Sequence, residues 1–170
     1  MNYSIEHLQN MIKYEKRLPP DFNQWYLIVD KYGTTIAHYA AEHKCLPPDF
    51  DRWYLRDKNG YTVAHEAGCK GVLPSKFDQW ELSDKYGKTV AHAAAYYGNL
   101  SPDFNLWSIS DISCRTVAHL VTYHSYLPPN FNQWELTDRF GMTIAQMAYM
   151  NNRLPPNFDR WDLIEKHGKN

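Results

Sequence analysis

Leu73-Pro-Ser-Lys-Phe77-Asp-Gln-Trp80-Glu-Leu82-Ser-Asp84-Lys-Tyr-Gly87-Lys-Thr89-Val90-Ala91-His92 is the stretch whose reading decides the fold of this chain. Its phrase returns along the sequence, marked by Trp25, Trp53, Trp80, Trp107, Trp134 and Trp161. The first step between these tryptophans is 28 residues and every later step is 27. A fixed period in this range is the signature of a stack of similar small units rather than one globular core. Residues that look catalytic in one copy recur in most copies, and a group repeated along an array is more often framework than active site.

The 170 residues make one domain by length and one array by repetition. Hydrophobic residues form 44% of the chain and aromatic ones 15%, ample material to bury. Charge is nearly balanced, 18 Lys+Arg against 19 Asp+Glu, and no basic block stands out. Nucleic-acid binding needs a cationic face to neutralise phosphates, so it is not expected. No apolar run approaches the roughly 20 residues that span a bilayer, so no membrane partner is expected. The stretch from Met1 to Arg17 carries charges throughout and does not read as a signal peptide. Cys45, Cys69 and Cys114 occupy non-equivalent positions of the repeat. A disulfide framework would repeat with the unit, so the expected compartment is reducing and intracellular, the cytoplasm.

One unit can be read from Asp84 to Ser110. Asp84-Lys-Tyr-Gly87 is a turn, with an Asp able to bond its own backbone and a Gly able to take positive φ. Asp30/Gly33, Asp57/Gly60 and Asp138/Gly141 fill the same slots, whereas the fourth copy pairs Asp111 with Cys114, predicting a strained turn or one of another type. Thr89 is an N-cap candidate for an alanine-rich helix that stops at Gly98-Asn99. Then Pro102-Asp103-Phe104-Asn105-Leu106-Trp107 predicts a second, stubby helix: proline suits a first turn, and Phe104 and Trp107 share a face. Neither helix could stand alone at this length, so stacking must hold both.

Asp-x-x-Gly-x-Thr-x-Ala-His-x-Ala-Ala-x-x-Gly resembles the first half of an ankyrin repeat, best in Asp30–Cys45, Asp57–Val72 and Asp84–Asn99. The resemblance extends from about Asp30 to Ile164. It departs from the family in length, since ankyrin units have about 33 residues, and in the second helix, where Pro-Pro-Asp-Phe-x-x-Trp stands. The chain therefore resembles a short, divergent ankyrin-like family. What this implies is an all-α repeat solenoid, each unit a turn or β-hairpin followed by two short helices. Residues 1–17 form an N-terminal capping helix starting at Ser4, residues 18–164 hold about five repeats, and residues 165–170 are an incomplete unit or tail.

His38, His65, His92 and His119, with Gln146 in the fifth slot, form a ladder. Equivalent atoms of stacked units lie about 8–10 Å apart. Zinc wants nitrogens at about 2.0–2.1 Å, so neighbouring rungs cannot share an ion. Resemblance to ankyrin repeats implies that each rung bonds the Thr of its own unit (Thr35, Thr62, Thr89, Thr116 or Thr143) and the backbone of its neighbour. His65 with Cys69 is the one pair at i, i+4, yet no third ligand is evident. Gly-x-Ser-x-Gly, phosphate-cradling glycine loops and His-Glu-x-x-His are all missing from the sequence. No catalytic, metal or cofactor site is expected.

Freedom of variation lies elsewhere. Slots flanking the turn Gly and near the end of the first helix change from unit to unit. In ankyrin-like geometry they project onto one concave face. There Tyr61, Tyr86, Lys88, Tyr96, Tyr97, Arg115, Tyr123, Phe140, Met142 and Met150 are the candidate partner-binding residues. Tyr, Met and Arg are enriched at interface centres. The alternative is that these aromatics bury between units. The resemblance implies a non-enzymatic, monomeric protein-binding array. Short divergent arrays also resemble effectors of bacteria living inside eukaryotic cells, which would put the protein in a host cytosol. The competing reading is a structural or targeting module of a longer protein.

Overall fold

The computed structural model describes residues 3–165, which form seven short α-helices and, among the described residues, no strand. They are α1 (Ile5–Asn10, prolonged by a π-helical segment Met11–Glu15), α2 (Ile36–Glu42), α3 (Val63–Lys70), α4 (Val90–Tyr96), α5 (Val117–Val121), α6 (Ile144–Met150) and α7 (Asp162–Glu165). Each packs on the helices before and after it, in serial order. Ser4 caps α1, its Oγ accepting the His7 N–H at 3.2 Å. Leu8 and Ile12 are fully buried beneath the next unit, while Ile5, expected on the same side, is exposed. The last five residues of the expected tail, 166–170, lie outside the described region, as do Met1 and Asn2.

Helices as short as α2 to α6 survive because their first N–H groups are satisfied, and α4 shows how. Val90 N–H donates to the Leu82 carbonyl at 3.0 Å and Ala91 N–H to the Trp80 carbonyl at 3.1 Å. His92 N–H donates to Thr89 Oγ1 at 3.4 Å. The same carbonyl caps recur at α2, α3, α5 and α6, from Leu27/Trp25, Leu55/Trp53, Ile109/Trp107 and Leu136/Trp134. Helix starts otherwise leave such donors orphaned. The tryptophan segment is thus bonded to the helix that follows it.

That bonding corrects the second helix. Around each Pro-x-x-Phe and each Gln-Trp-x-Leu the chain makes single turns: Phe77 N–H to the Pro74 carbonyl at 3.0 Å, Leu82 N–H to the Gln79 carbonyl at 3.3 Å. No helix forms there except α7, in the last copy. Continuing a helix would need the Trp and Leu carbonyls for its own ladder, and they are committed to the next unit. Nucleating a turn or two of helix is also unfavourable without partners. The unit is therefore one helix and two tight turns, not two helices.

The expected β-hairpin shrinks to an isolated antiparallel bridge per unit, as between Ser83 and Thr89. Its turn is held by the Asp: Asp84 Oδ1 accepts the Tyr86 N–H at 2.8 Å and the Lys88 N–H at 2.9 Å. Asp30, Asp57, Asp111 and Asp138 do the same. Gly87 sits at φ 71°, and Cys114 takes that left-handed conformation too, at φ 56°. Its N–H still bonds the Asp111 carbonyl at 2.9 Å, so the turn type is unchanged and the strain is accepted.

Two buried layers hold the stack. One is alanine from α2 to α6, such as Ala40, Ala64, Ala67, Ala91, Ala94 and Ala118, fully buried, which lets neighbouring helices approach closely. Between them Gly68 faces the Ala94 side chain, where an added Cβ would meet it at 3.5 Å. The other is a column of alternating Phe and Trp from Phe22 to Trp161, buried through most of its length and exposed at its last ring, Trp161. Every successive pair meets edge to face, at 4.8–6.4 Å between centroids and 79–89° between planes. Such pairs contribute about 0.5–1.5 kcal/mol beyond area burial.

Left-handed φ costs a side-chain-bearing residue about 1–2 kcal/mol, partly offset by the looser unfolded chain that Gly brings. C114G is therefore expected to stabilise the protein by about 0.5–1 kcal/mol. Denaturant unfolding checks this: the midpoint should rise at constant slope, and a fall would contradict the strain argument.

Candidate functional site

The histidine ladder fixes the backbone of the surface beside it. In His92, Nδ1 accepts the Thr89 N–H at 3.2 Å and lies 2.8 Å from Thr89 Oγ1. Nε2, which must then carry the proton, donates to the Arg115 carbonyl of the next unit at 2.9 Å. His38 reaches Tyr61 at 3.0 Å, His65 reaches Lys88 at 2.9 Å and His119 reaches Met142 at 3.3 Å in the same way, each also bonded to its own Thr35, Thr62 or Thr116. Gln146 keeps the local half, its Oε1 accepting the Thr143 N–H at 2.8 Å. Burial pushes all four imidazoles below their ordinary pKa, so they are neutral.

The carbonyls that receive these bonds belong to Tyr61, Lys88, Arg115 and Met142, four of the candidate partner-binding residues. Their backbone is clamped through the carbonyl, whatever the side chain. Tyr61, Lys88, Tyr96, Tyr97 and Arg115 come together in a cleft of about 390 Å³, completed by His65, His92, Cys69, Ala93, Asp111 and Leu120. Tyr61 forms a half-buried wall: its ring lies 4.8 Å from that of His65 and its hydroxyl 3.1 Å from Cys69 Sγ. Tyr96 and Tyr97 stand edge to face at 5.2 Å, both more than half exposed. Arg115 Nε is buried and, among the described residues, has no hydrogen-bond partner.

The remaining candidates do not line this cleft. Tyr86 and Phe140 are on turn tips, each beneath the cation preceding it, Lys85 at 5.0 Å and Arg139 at 4.6 Å. Tyr123 packs loosely against His124, Met142 is half-buried and Met150 is exposed. A neighbouring cleft of about 410 Å³ has the opposite chemistry, with Asp30, Glu42, Asp57 and Glu66 around His38 and Tyr61. Lys70 offsets Glu66 there at 3.5 Å. Sequence reading treated Asp111 as a turn-former alone and did not place Leu120 on the face. Asp111 enters the cleft because stacking brings the fourth unit's turn against the third unit's helix, and Leu120 because α5 packs on α4.

Among the described residues no three His, Cys, Asp or Glu side chains gather as a metal site. Cys69 and His65 are already engaged, by Tyr61 and by Thr62 and Lys88. Burial pushes the Cys45 and Cys69 thiols up, away from the reactive thiolate. All three cysteines are free, and no helix among the described residues is long and apolar enough to cross a membrane. In comparisons with known proteins, no family model and no curated protein matches this chain.

Because the folded histidines have lowered pKa values, the unfolded chain takes up protons first as pH falls below about 6.5. Stability is therefore fully present above that value and lost on acidification, by up to about 1.4 kcal/mol per pH unit for each histidine. Burial raises the Glu66 carboxyl, which titrates with the opposite sign but is one group against the four ladder histidines and His43, which burial also lowers. Unfolding midpoints between pH 7.5 and 5.5 should fall steeply, and H92Q, made after the Gln146 precedent, should flatten the slope by about one proton's share. A slope unchanged by H92Q would remove the ladder from the account.

Proposed function

We propose that this chain is a non-enzymatic, divergent ankyrin-like solenoid that binds a protein partner along a concave face. The observation that carries this reading is the cleft in which three tyrosines, Lys88 and Arg115 converge on rigidly held backbone. Binding needs such preorganisation, since ordering a loose surface consumes affinity. Exposed aromatic and Met side chains continue the face through Tyr123, Phe140 and Met150, and contiguous exposed apolar groups mark interaction surfaces. The recurring Asp, Thr and His groups are spent on framework bonds. An intracellular setting belongs to the same reading, on the three free cysteines, and a bacterial effector acting in a host cytosol is its extension.

The test is affinity capture with wild-type protein and with a Tyr96/Tyr123/Phe140→Ala variant of matched unfolding temperature. A defined partner recovered by the wild type and lost at least tenfold by the variant is expected. Equal recovery by both would overturn the assignment of this face.

A further inference from the structure

We propose that the Tyr61–Tyr96–Tyr97 cleft is a receptor for a single acidic side chain, an Asp or Glu presented by the protein partner. This rests on the binding-face reading and gives it a chemistry. Four buried side-chain atoms lack partners among the described residues: His43 Nε2, Arg115 Nε, Gln133 Oε1 and Arg153 Nε. Arg115 alone of these lines the aromatic cleft. A buried guanidinium N–H left unpaired is costly, and a carboxylate is the acceptor that matches its geometry.

Charge around the cleft selects a monoanion. Lys88 and Arg115 contribute two positive charges and Asp111 one negative, leaving a net charge of one. His65 and His92 add none, since their Nδ1 atoms accept hydrogen bonds and their Nε2 atoms donate one. The Cys69 thiol and the Tyr61 phenol are both held protonated by burial. A dianionic phosphate would meet Asp111 with excess charge, whereas a carboxylate balances the site. Tyr96 and Tyr97 flank the entrance with rings that pack on the methylenes of a Glu and shield its ion pair from water. The adjoining cleft with Glu42 and Glu66 repels the same group, so the acidic residue has one station on the face.

The experiment follows the Arg115 Nε–H resonance by ¹⁵N–¹H NMR, assigned through its loss in R115K. The probes are an acetylated, amidated Gly-Leu-Glu-Leu-Gly peptide, its Gln counterpart, and inorganic phosphate, each titrated at fixed ionic strength. A saturable shift with the Glu peptide, at least tenfold weaker with the Gln peptide and with phosphate, is expected. R115Q should abolish saturable shifts of Tyr96 and Tyr97 while the Nε2–H signal of His92 persists, because that bond uses the Arg115 carbonyl, not its side chain. Equal response to the Glu and Gln peptides, tighter binding of phosphate, or no shift at Nε would each overturn the proposal. Partner capture that depends on Tyr123 and Phe140 but not on Arg115 would leave the face standing and remove this pocket. A Glu-peptide response with partner capture indifferent to the face would do the reverse.

Discussion

The imidazole of each central unit is bonded on both sides, and the rest of the structure depends on that. On one side it completes the capping box that starts its own helix. On the other it donates across 23 residues of sequence to the next unit, as His65 does to Lys88. Helix formation and stacking are therefore not separable. A ring displaced from its Thr loses the N–H donor that fixes its tautomer, and with it the Nε2 proton it must donate to the neighbour. Neutral imidazole meets both demands at once, one nitrogen accepting and the other donating. An amide can do the same, as Gln146 shows for the local half.

The aromatic column solves a different problem. With one helix per unit, the stack has too little apolar helix surface to form a second layer in the usual manner. Phe and Trp supply it from tight turns, each ring touching the ring before and after it. Alanine on the helix side keeps the helices close, and large rings fill the turn side. Both layers contact only sequence neighbours, so stability is a sum over interfaces. The turn tips add backbone bonds of the same kind, Lys85 N–H to the Asn59 carbonyl at 2.9 Å and Arg139 N–H to the Ser113 carbonyl at 2.9 Å.

Much of this was legible in the sequence because repetition averages out accident. The Asp turn, the Thr cap, the alanine helix and the stacking order each recur, and the period alone gives the serial arrangement. The second helix was misread for a physical reason. Pro-Pro-Asp-Phe-x-x-Trp carries local helix-start signals, while the competing use of the Trp25, Trp53 and Trp80 carbonyls is a tertiary bond with no local signature. Cys114 was read correctly as a strained position, but sequence could not say whether the turn would change type. The cleft was half legible: variation between units picked out Tyr61, Lys88, Tyr96, Tyr97 and Arg115. Asp111 was masked by its obvious role in the turn, since its Oδ1 bonds to Ser113 and Arg115 explain it without reference to any cleft.

The ladder and the face meet in one slot, the residue after the turn Gly position. Tyr61, Lys88, Arg115 and Met142 each give a backbone carbonyl to the preceding histidine. Nothing in that bond depends on the side chain, so the slot can hold an aromatic, two cations and a thioether in turn without disturbing the stack. The slot's N–H is held as well, because the Asp carboxylate of the same turn accepts it, as Asp111 does from Arg115 at 3.1 Å. A backbone fixed through both its donor and its acceptor holds its Cβ direction closely. Variable side chains on invariant backbone give a surface whose chemistry can change without refolding, and this is why the partner-binding reading falls on these residues and not on the repeated ones.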